Sequence, residues 1–253
     1  MSAPRRPRAP RHGLARILSK AGLCSRTDAA RWIADGRVRV AGRVVRDPEC
    51  PVDATAPPVI EVDGRPLPRV ERRYVMLNKP RGLVTTARDE QGRDTVYRCL
   101  DGSGLPWLAP VGRLDRASEG LLLLSNDPGW AAGITDPATG PLKTYHVQVD
   151  ARPDPALLER LAHGADCDGE WLRAHSVRPV REGGRNAWLE IVLDEGRNRQ
   201  IRRLLEAFGL RTLRLIRVAI GDLPLGDLAK GAWRPLSADE VRQLSSHAAV
   251  TEP

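Results

Sequence analysis

Residues 112–127, GRLDRASEGLLLLSND, constrain this chain more than any other stretch. A loop rich in charge and glycine runs directly into Leu121–Leu124, and Asn126-Asp127-Pro128-Gly129 then stops the run. Leucines without polar alternation specify a strand buried on both faces. Asp127 suits a helix cap, with Pro128 at the first helical position. At four residues this is the longest aliphatic run in the chain, far short of the roughly 20 that span a bilayer. Asp115 therefore stands in a polar loop at the mouth of an apolar strand, flanked by Arg113 and Arg116. A carboxylate held among cations stays ionised and can serve as a nucleophile or base. The same charges could equally form a surface ion-pair cluster, and local chemistry alone does not separate the two.

Around this strand the hydrophobic period changes repeatedly. YVMLN (74–78) reads as a strand, broken by Lys79-Pro80-Arg81-Gly82 and continued by Leu83–Thr86. TYHVQVD (144–150) alternates as a half-buried strand does, and Asp154-Pro155 opens a helix through Leu161. Residues 171–180 and 187–193 are strand-like. Ile201, Leu204, Leu205 and Phe208 recur at helical spacing before Gly209. Leu213, Leu215 and Val218 return to strand, and Ser237-Ala238-Asp239-Glu240 caps a last helix. Strands and helices without regular βαβ alternation specify an α+β fold with a mixed, largely antiparallel sheet.

The formal charge of +8 is unevenly spread. Residues 1–47 carry 12 Arg or Lys against Asp28, Asp35 and Asp47, a net +9, so residues 48–253 sum to −1. Of the 40 basic residues 36 are arginine, which pairs bidentately with phosphate. Arg5, Arg6, Arg8 and Arg11 lie among Pro4, Pro7 and Pro10 as an extended basic tail. Leu14, Ile17, Leu18 and Ala21 then mark an amphipathic helix ended by Gly22. Ser25–Asp28 has capping-box form and opens a second helix, with Ala29, Ala30 and Ile33 on its apolar face. Val38–Val40, Ala41-Gly42 and Arg43–Val45 read as strand, tight turn, strand. This small helical hairpin with strands presents Arg16, Lys20, Arg26, Arg31, Arg37 and Arg39 outward, a face suited to nucleic-acid phosphates. The proline-rich stretch from Cys50 to Pro68 reads as the edge of this module and a stiff linker. The expected division is a tail over 1–11, a module with linker over 12–70, a larger domain over 71–245 and a short tail over 246–253.

Several functional classes are excluded. Cys24, Cys50, Cys99 and Cys167 form no C-x-x-C and the histidines show no ligand spacing, so neither a disulfide framework nor a metal site is expected. No dinucleotide or P-loop glycine pattern is present, so no nucleotide cofactor is implied. The basic N-terminus lacks the apolar core of a secretory signal, and a reduced cytoplasmic protein without membrane attachment is expected. Two further stretches could carry chemistry. KTYHV (143–147) places Tyr145 in an alternating strand, a position equally open to a core role. EGRNRQIRR (195–203) opens a helix, and residues 196–217 hold seven arginines against Glu206. A cationic helix start favours a phosphate or a carboxylate.

The stretch LARILSKAGLCSRTDAARWIADGRVRVAGRVV resembles the α-L RNA-binding motif shared by a small-subunit ribosomal protein and bacterial tyrosyl-tRNA synthetases. Beyond it, LNKPRG (77–82), GRLDRASEGLLLLSND (112–127), KTYHVQV (143–149), EGRNRQIRR (195–203) and GDLPLGDLAKGAWRPLSADEV (221–241) together resemble the bacterial ribosomal RNA pseudouridine synthases of the RsuA/RluB type. Two positions depart from that pattern. Ser118 stands where threonine is usual, keeping the hydroxyl, and Asp136-Pro137 where His-Pro is usual, which bears on substrate choice.

That resemblance implies isomerisation of uridine to pseudouridine by a catalytic domain of pseudouridine synthase type. The base leaves C1′, turns and rejoins through C5. No atom is gained or lost, so no cofactor or metal is required. A stacked base cannot turn over, so the nucleotide must be flipped out. The resemblance also implies residue roles. Asp115 attacks C1′ or assists glycosidic cleavage, Tyr145 stacks on the base and is placed to take the C5 proton, and Arg202 pairs with Asp115. Ile201 packs under the base, Arg113 and Arg116 position phosphates or brace the loop, and Arg199 joins the substrate-binding set. The expected partner is ribosomal RNA or a ribosome assembly intermediate. The large subunit is favoured because the basic N-terminus and LNKPRGLVTTARDEQGR look closer to that branch, and a monomer is expected. Two readings of other classes compete. A pure RNA-binding assembly protein would need the first module but not residues 112–127 and 195–203. A carboxylate-pair glycosidase would need a second acid beside Asp115, for which Glu119 is available, yet aromatic sugar platforms are sparse at 4% aromatics.

Overall fold

The structure, a computed structural model, describes residues 11–53, 57–67 and 71–246. The expected basic tail apart from Arg11, and the expected C-terminal tail apart from Ser246, lie outside the described residues. The chain divides into two compact units, one up to Arg73 with Leu105–Ala109, the other holding 74–104 and 110 onward.

In the first unit β1 (Arg11–Gly13) leads into α1 (Leu14–Lys20) and α2 (Arg26–Ala34). Ser25 caps α2: its hydroxyl accepts from the Asp28 amide at 3.0 Å and donates to the Asp28 carboxylate at 2.7 Å. Leu14, Leu18, Ala29 and Ile33 meet between the helices, as their spacing predicts, joined by Val38, Val52 and Ile60. β2 (Val38–Val40) and β3 (Arg43–Val44) flank Ala41-Gly42, both at positive φ, the two-residue turn whose twist matches its strands. β4 (Pro51–Asp53) pairs with β1, β5 (Ile60–Val62) with β2, and β6 (Arg65–Pro66) with β5. The expectation of a stiff linker over this stretch is thus corrected. Ile60 points into the core, and β5 is an inner strand of a four-stranded sheet ordered β3-β2-β5-β6. Pro51 opens its strand and Pro66 lies on an edge, where a missing N–H is tolerated.

The second unit begins with β7 (Tyr74–Lys79), β8 (Ala109–Val111), β9 (Glu119–Ser125), α3 (Pro128–Thr135) and β10 (Lys143–Val149). It continues with α4 (Pro155–His163), β11 (Ala165–Cys167), β12 (Glu170–Leu172), β13 (Ser176–Glu182), β14 (Ala187–Leu193) and α5 (Gln200–Ala207). It closes with β15 (Thr212–Ile220), β16 (Leu223–Pro224), β17 (Trp233–Pro235) and α6 (Ala238–Ser246). The main sheet runs β13-β14-β10-β15-β9-β7-β17, with β16 on β15 and β8 on β9. β15 and β9 are parallel, while the other pairings along that path are antiparallel. This is the mixed, largely antiparallel sheet of an α+β fold. β9 is buried at all seven positions, as the leucine run requires. Leu121 and Leu123 pack with Met76, Ile134, Ile220 and Leu244. Asp127 caps α3 by accepting from the Gly129 and Trp130 amides, and Ser237 and Glu240 form a reciprocal capping box on α6. Among the described residues no helix is long and apolar enough to cross a membrane.

Two strand expectations are corrected. Leu83–Thr86 does not prolong β7. Gly82, at φ +101°, turns the chain away, and only Val84 bridges to Thr95. Trp171–Val180 is divided between two strands, β12 pairing with β11 and β13 with β14, and between them the Arg173 carbonyl accepts from the Gln200 side chain at 2.9 Å.

The parallel step between β9 and β15 depends on Gly120. It sits at φ +101°, and a Cβ there would lie 2.3 Å from the Arg217 carbonyl oxygen. Gly120→Ala is therefore expected to destabilise the fold by about 2–4 kcal/mol. Urea titration checks this, and a variant within 0.5 kcal/mol of wild type, roughly the spread of neutral surface changes, contradicts it.

Candidate active site

The loop from Gly112 to Ser118 enters β9 with its backbone fully committed. Thr85 Oγ1 donates to the Leu114 carbonyl at 2.7 Å. The Asp115 carbonyl accepts from the Ser118 amide at 2.9 Å and from Lys79 Nζ at 3.2 Å. The Gly82 amide donates to Arg116 O at 2.8 Å, Arg202 Nη2 to Ala117 O at 3.2 Å, and Lys79 Nζ to Ser118 O at 2.9 Å. Five consecutive carbonyls are thus satisfied by neighbouring elements. Lys79 is fully buried at the end of β7, where burial pushes its ammonium down to about 8 against the pull of the nearby Asp115 charge.

Held this way, Asp115 opens on a cleft of about 700 Å³ within the second unit. Arg113, Asp115, Tyr145, Arg199, Ile201 and Arg202 all line it. Three separated stretches of sequence therefore converge on one cavity. Tyr145 is 9% exposed on β10, and Ile201 is buried in the first turn of α5. Arg199, just before that helix, has the left-handed backbone (φ 49°, ψ 30°) that a non-glycine residue adopts only under constraint. The constraint is Gln200. Its buried amide donates to Arg173 O and to Glu195 Oε1, and accepts from the Arg197 amide.

The expected Arg202–Asp115 ion pair is corrected. Arg202 spends Nη2 on Ala117 O and on Ser118 Oγ at 3.4 Å, and its Nε is buried without a partner among the described residues. The cation nearest the Asp115 carboxylate is Arg199, with Nη1 at 4.0 Å. Burial and the charges of Arg199 and Arg81 press the Arg202 pKa down, while Asp115 opposes them. Arg202 thus braces the Asp115 loop and adds positive potential, without a direct bridge. Arg116 is absent from the cleft lining and braces the loop instead, its Nε donating to Gly82 O at 3.2 Å.

The second basic patch is less uniform than its sequence. Arg197 binds Glu195 and Glu170, Arg203 binds Glu170, Arg211 binds Asp150 and Arg214 binds Glu119. Of the three others that line the cleft, Arg199 stands 4.0 Å from Asp115, and Arg202 and Arg217 form no ion pair among the described residues. Glu119 is likewise committed, held between Arg214 at 2.7 Å and Lys230 at 2.5 Å. Hydrogen bonds from these two cations hold its carboxyl down at about 2 despite burial, and it does not line the cleft. Glu119 is therefore not the second acid of a glycosidase pair, and the other glutamate of the cleft, Glu195, is bound by Arg197 and Gln200.

In the first unit Arg16, Lys20, Arg26, Arg31, Arg37 and Arg39 are all exposed, as expected. They are not equally free. Arg31 binds Asp28 at 2.8 Å, and Arg37 is bidentate on Asp63 and lies 5.0 Å from the Trp32 ring. Arg26 stands 4.0 Å from Glu49.

Four cleft or bracing residues escaped the sequence reading: Lys79, Lys143, Gln200 and Arg217. Lys79 carried a signal, being one of only four lysines and ending an apolar strand. Lys143 lies two residues before Tyr145 and so shares its face of β10, which strand alternation alone could have indicated. Arg217 needed the β10–β15 register, which pairs it with Tyr145.

The family model of the RNA pseudouridylate synthases matches residues 73–207, and that of the S4 domain matches residues 13–56. A Rickettsia bellii protein named as an RNA pseudouridine synthase is 39% identical over 88% of this chain and 96% of its own. The Bacillus subtilis ribosomal large subunit pseudouridine synthase B is 35% identical over 91% of this chain and 94% of its own. A crystal structure of a pseudouridylate synthase superposes with a TM-score of 0.64 at 28% identity, covering 92% of this chain and 99% of that one. The chain belongs to the RNA pseudouridylate synthase family, and it is an isomerase acting on RNA.

Glu119 offers a direct check on this division of labour. Its carboxyl sits at about 2, below the ordinary 4.5, so the stability it contributes is full above 4.5 and is lost as pH falls through about 2. Glu119→Gln should cost about 3 kcal/mol at neutral pH by stranding two cations. It should also flatten the acid limb of the stability curve and leave turnover per folded molecule within about threefold of wild type. Thermal melts from pH 2 to pH 7 with a parallel activity assay test this. Loss of turnover in a folded variant would restore Glu119 as a catalytic acid.

Proposed function

We propose that this protein converts a specific uridine of large-subunit ribosomal RNA to pseudouridine, with Asp115 as nucleophile on a flipped-out nucleotide. The observation that carries this reading is the convergence of Asp115, Tyr145, Arg199, Ile201 and Arg202 on one cleft, with the Asp115 carboxylate 29% exposed. A cleft of about 700 Å³ accommodates a nucleotide, within the roughly 300–1,000 Å³ usual for small-molecule sites. Asp115 attacks C1′ as the base departs. Tyr145 stacks on the base and takes the C5 proton, and Ile201 packs beneath it. Arg113 and Arg199, exposed at the cleft, hold the flanking phosphates, while Arg202 and Arg116 keep the Asp115 loop in place.

Residues 12–70 act as the RNA-binding module and residues 71–245 as the catalytic domain. The Bacillus subtilis relative, a large-subunit enzyme by name, supports the choice of subunit and a place in the cytoplasm. One chain supplies every cleft residue named, which suits a monomer acting on ribosomal RNA or an assembly intermediate. Arg16, Lys20 and Arg39, exposed and without close acids among the described residues, make the phosphate contacts of the module, with lesser contributions from Arg26, Arg31 and Arg37.

Mapping pseudouridine in RNA from a strain lacking the gene should reveal one missing site in the large-subunit RNA. A missing site in the small-subunit RNA instead overturns the choice of subunit, and no missing site overturns the reading. Asp115→Asn should abolish turnover, with at least a hundredfold loss and RNA affinity within about twofold, since the amide keeps the shape but not the nucleophile. Retention of a few per cent of the rate would remove Asp115 from the chemistry.

The paired and unpaired cations of the module give a separate test. Replacing Arg16, Lys20 or Arg39 by alanine should each reduce the slope of log affinity against log salt by roughly one unit. Arg37→Ala should change it little, because that charge is already spent on Asp63. Equal slopes across all four variants would show that these cations do not meet RNA.

A further inference from the structure

Beside Tyr145 the cleft holds two cations that the reading above does not use. Lys143 and Tyr145 share one face of β10, Tyr145 pairs across the ladder with Arg217 of β15, and all three line the cleft. Arg217 is only 5% exposed. Its Nε donates to Leu121 O at 2.7 Å, while its Nη2 is buried with no partner among the described residues. Lys143 is half-buried, and burial and then the Arg217 charge push its pKa down. The acids that act on it, Asp194 and Asp136, do so from a distance. One oxygen of Asp194 is bound by Arg173 at 2.9 Å, and Asp136 accepts from the Ala138 and Thr139 amides. Two neighbouring like charges, one with an unmet buried donor, destabilise a fold unless a ligand completes them.

We propose that Lys143 and Arg217 form a subsite for the uracil carbonyl oxygens and stabilise the uracil anion during base exchange. The inference rests on the cleft being the seat of uridine isomerisation. As the C1′–N1 bond breaks, its electron pair stays on the ring, and negative charge spreads over N1, O2 and O4. An Asp115 oxygen bonds C1′ in its place. Once the ring has turned, C5 attacks C1′ and releases the carboxylate, the C5 proton leaves and N1 gains one. No oxidant or reductant enters. Between the two bond exchanges the ring is an untethered anion that must be held yet remain free to turn. Several N–H donors on two neighbouring side chains meet that requirement, since each ring oxygen can exchange one donor for another. The walls nearby, Leu193, Leu215 and Ile220, are apolar, so the cations act in a medium that strengthens them. Because the ring arrives neutral and becomes charged only on cleavage, the stabilisation falls on the transition state more than on the bound substrate. Backbone phosphates have other partners in the exposed Arg113 and Arg199.

The test compares Lys143→Met, of similar length and without charge, with Lys143→Arg. Arg217→Lys serves as a second variant, because Arg217 also supports β9 through Leu121. Single-turnover rates are measured on short target RNAs carrying uridine or 5-fluorouridine, together with RNA affinity and melting temperature. Lys143→Met should slow uridine conversion roughly a hundredfold, the usual loss for one oxyanion donor. Affinity should stay within threefold and the melting temperature should be unchanged or higher, since a buried charge is removed. Formation of the C5-linked 5-fluoro product should slow far less, because fluorine already stabilises the ring anion. Lys143→Arg should recover part of the rate, and Arg217→Lys should show the same substrate dependence as Lys143→Met. Equal slowing on both substrates overturns the subsite. So does a defect that disappears when the phosphates flanking the target are methylphosphonates, which would assign the cations to phosphate. A lower melting temperature with an unchanged rate makes Lys143 structural. Wild-type protein inactive on ribosomal RNA would overturn the reading of the cleft itself, a result distinct from any of these.

Discussion

The active-site geometry depends on a lysine that never meets solvent. Lys79 ends β7 and delivers its ammonium to the carbonyls of Pro80, Asp115 and Ser118, so one side chain fixes both ends of the turn that carries the Asp115 carboxylate. A buried ammonium is costly, and three carbonyl acceptors offset that cost only if the loop stays where it is. Thr85, Gly82 and Arg202 take the remaining carbonyls from other directions. The result is a loop whose backbone has no spare acceptor between residues 114 and 118, while its one carboxylate is left facing the cleft. Preorganisation of this kind lowers the reorganisation needed at the moment of reaction.

Much of this was legible in the sequence, for a physical reason. The leucines of β9 admit one environment, buried on both faces, and a strand so placed must be central to its sheet. Asp115 and Tyr145 stand at marked positions, a polar loop before that strand and an alternating strand, but the family resemblance rather than position singles them out for the site together with Ile201. What the sequence does not encode locally is partnership. Arg202 was expected on Asp115, yet a guanidinium near several carbonyls and a carboxylate can settle on any of them, and only the turn of α5 decides. The placing of Arg217 opposite Tyr145 has the same origin, since it depends on a register between strands some 70 residues apart. Val59–Val62 reads as a β-like piece among prolines, but its inner place in a sheet is not legible, because edge and inner strands differ in neighbours rather than in composition.

The arginines illustrate how weak a guide charge count is. Between residues 196 and 217 the seven guanidiniums meet different fates. Four are neutralised by acids from elsewhere in the fold, and Arg202 is spent mainly on a loop. Arg199 is held in a strained backbone beside Asp115, and Arg217 is buried with a donor to spare. In the first unit the same sorting separates Arg37, locked on Asp63, from Arg16 and Arg39. Ion pairs at an exposed surface contribute little to stability, but they remove a cation from the set that can bind phosphate. Binding strength should therefore follow the unpaired subset rather than the net charge.

Two carboxylates four residues apart show how environment assigns function. Glu119 sits 4% exposed between Arg214 and Lys230, its oxygens satisfied at hydrogen-bond distance and its proton affinity lowered. A carboxylate so paired is a poor nucleophile, because attack would have to break both bonds first. Asp115 has its nearest cation at 4.0 Å, far enough to leave the carboxylate lone pairs available. The backbone of its loop is tied down while its side chain is not. Glu119 has the reverse arrangement: it stands opposite Ile216 in the register, and its side chain is tied by Arg214 and Lys230. The register of β15 in turn brings Arg217 beside Tyr145, on the opposite side of the sheet from the acid that β9 keeps for itself.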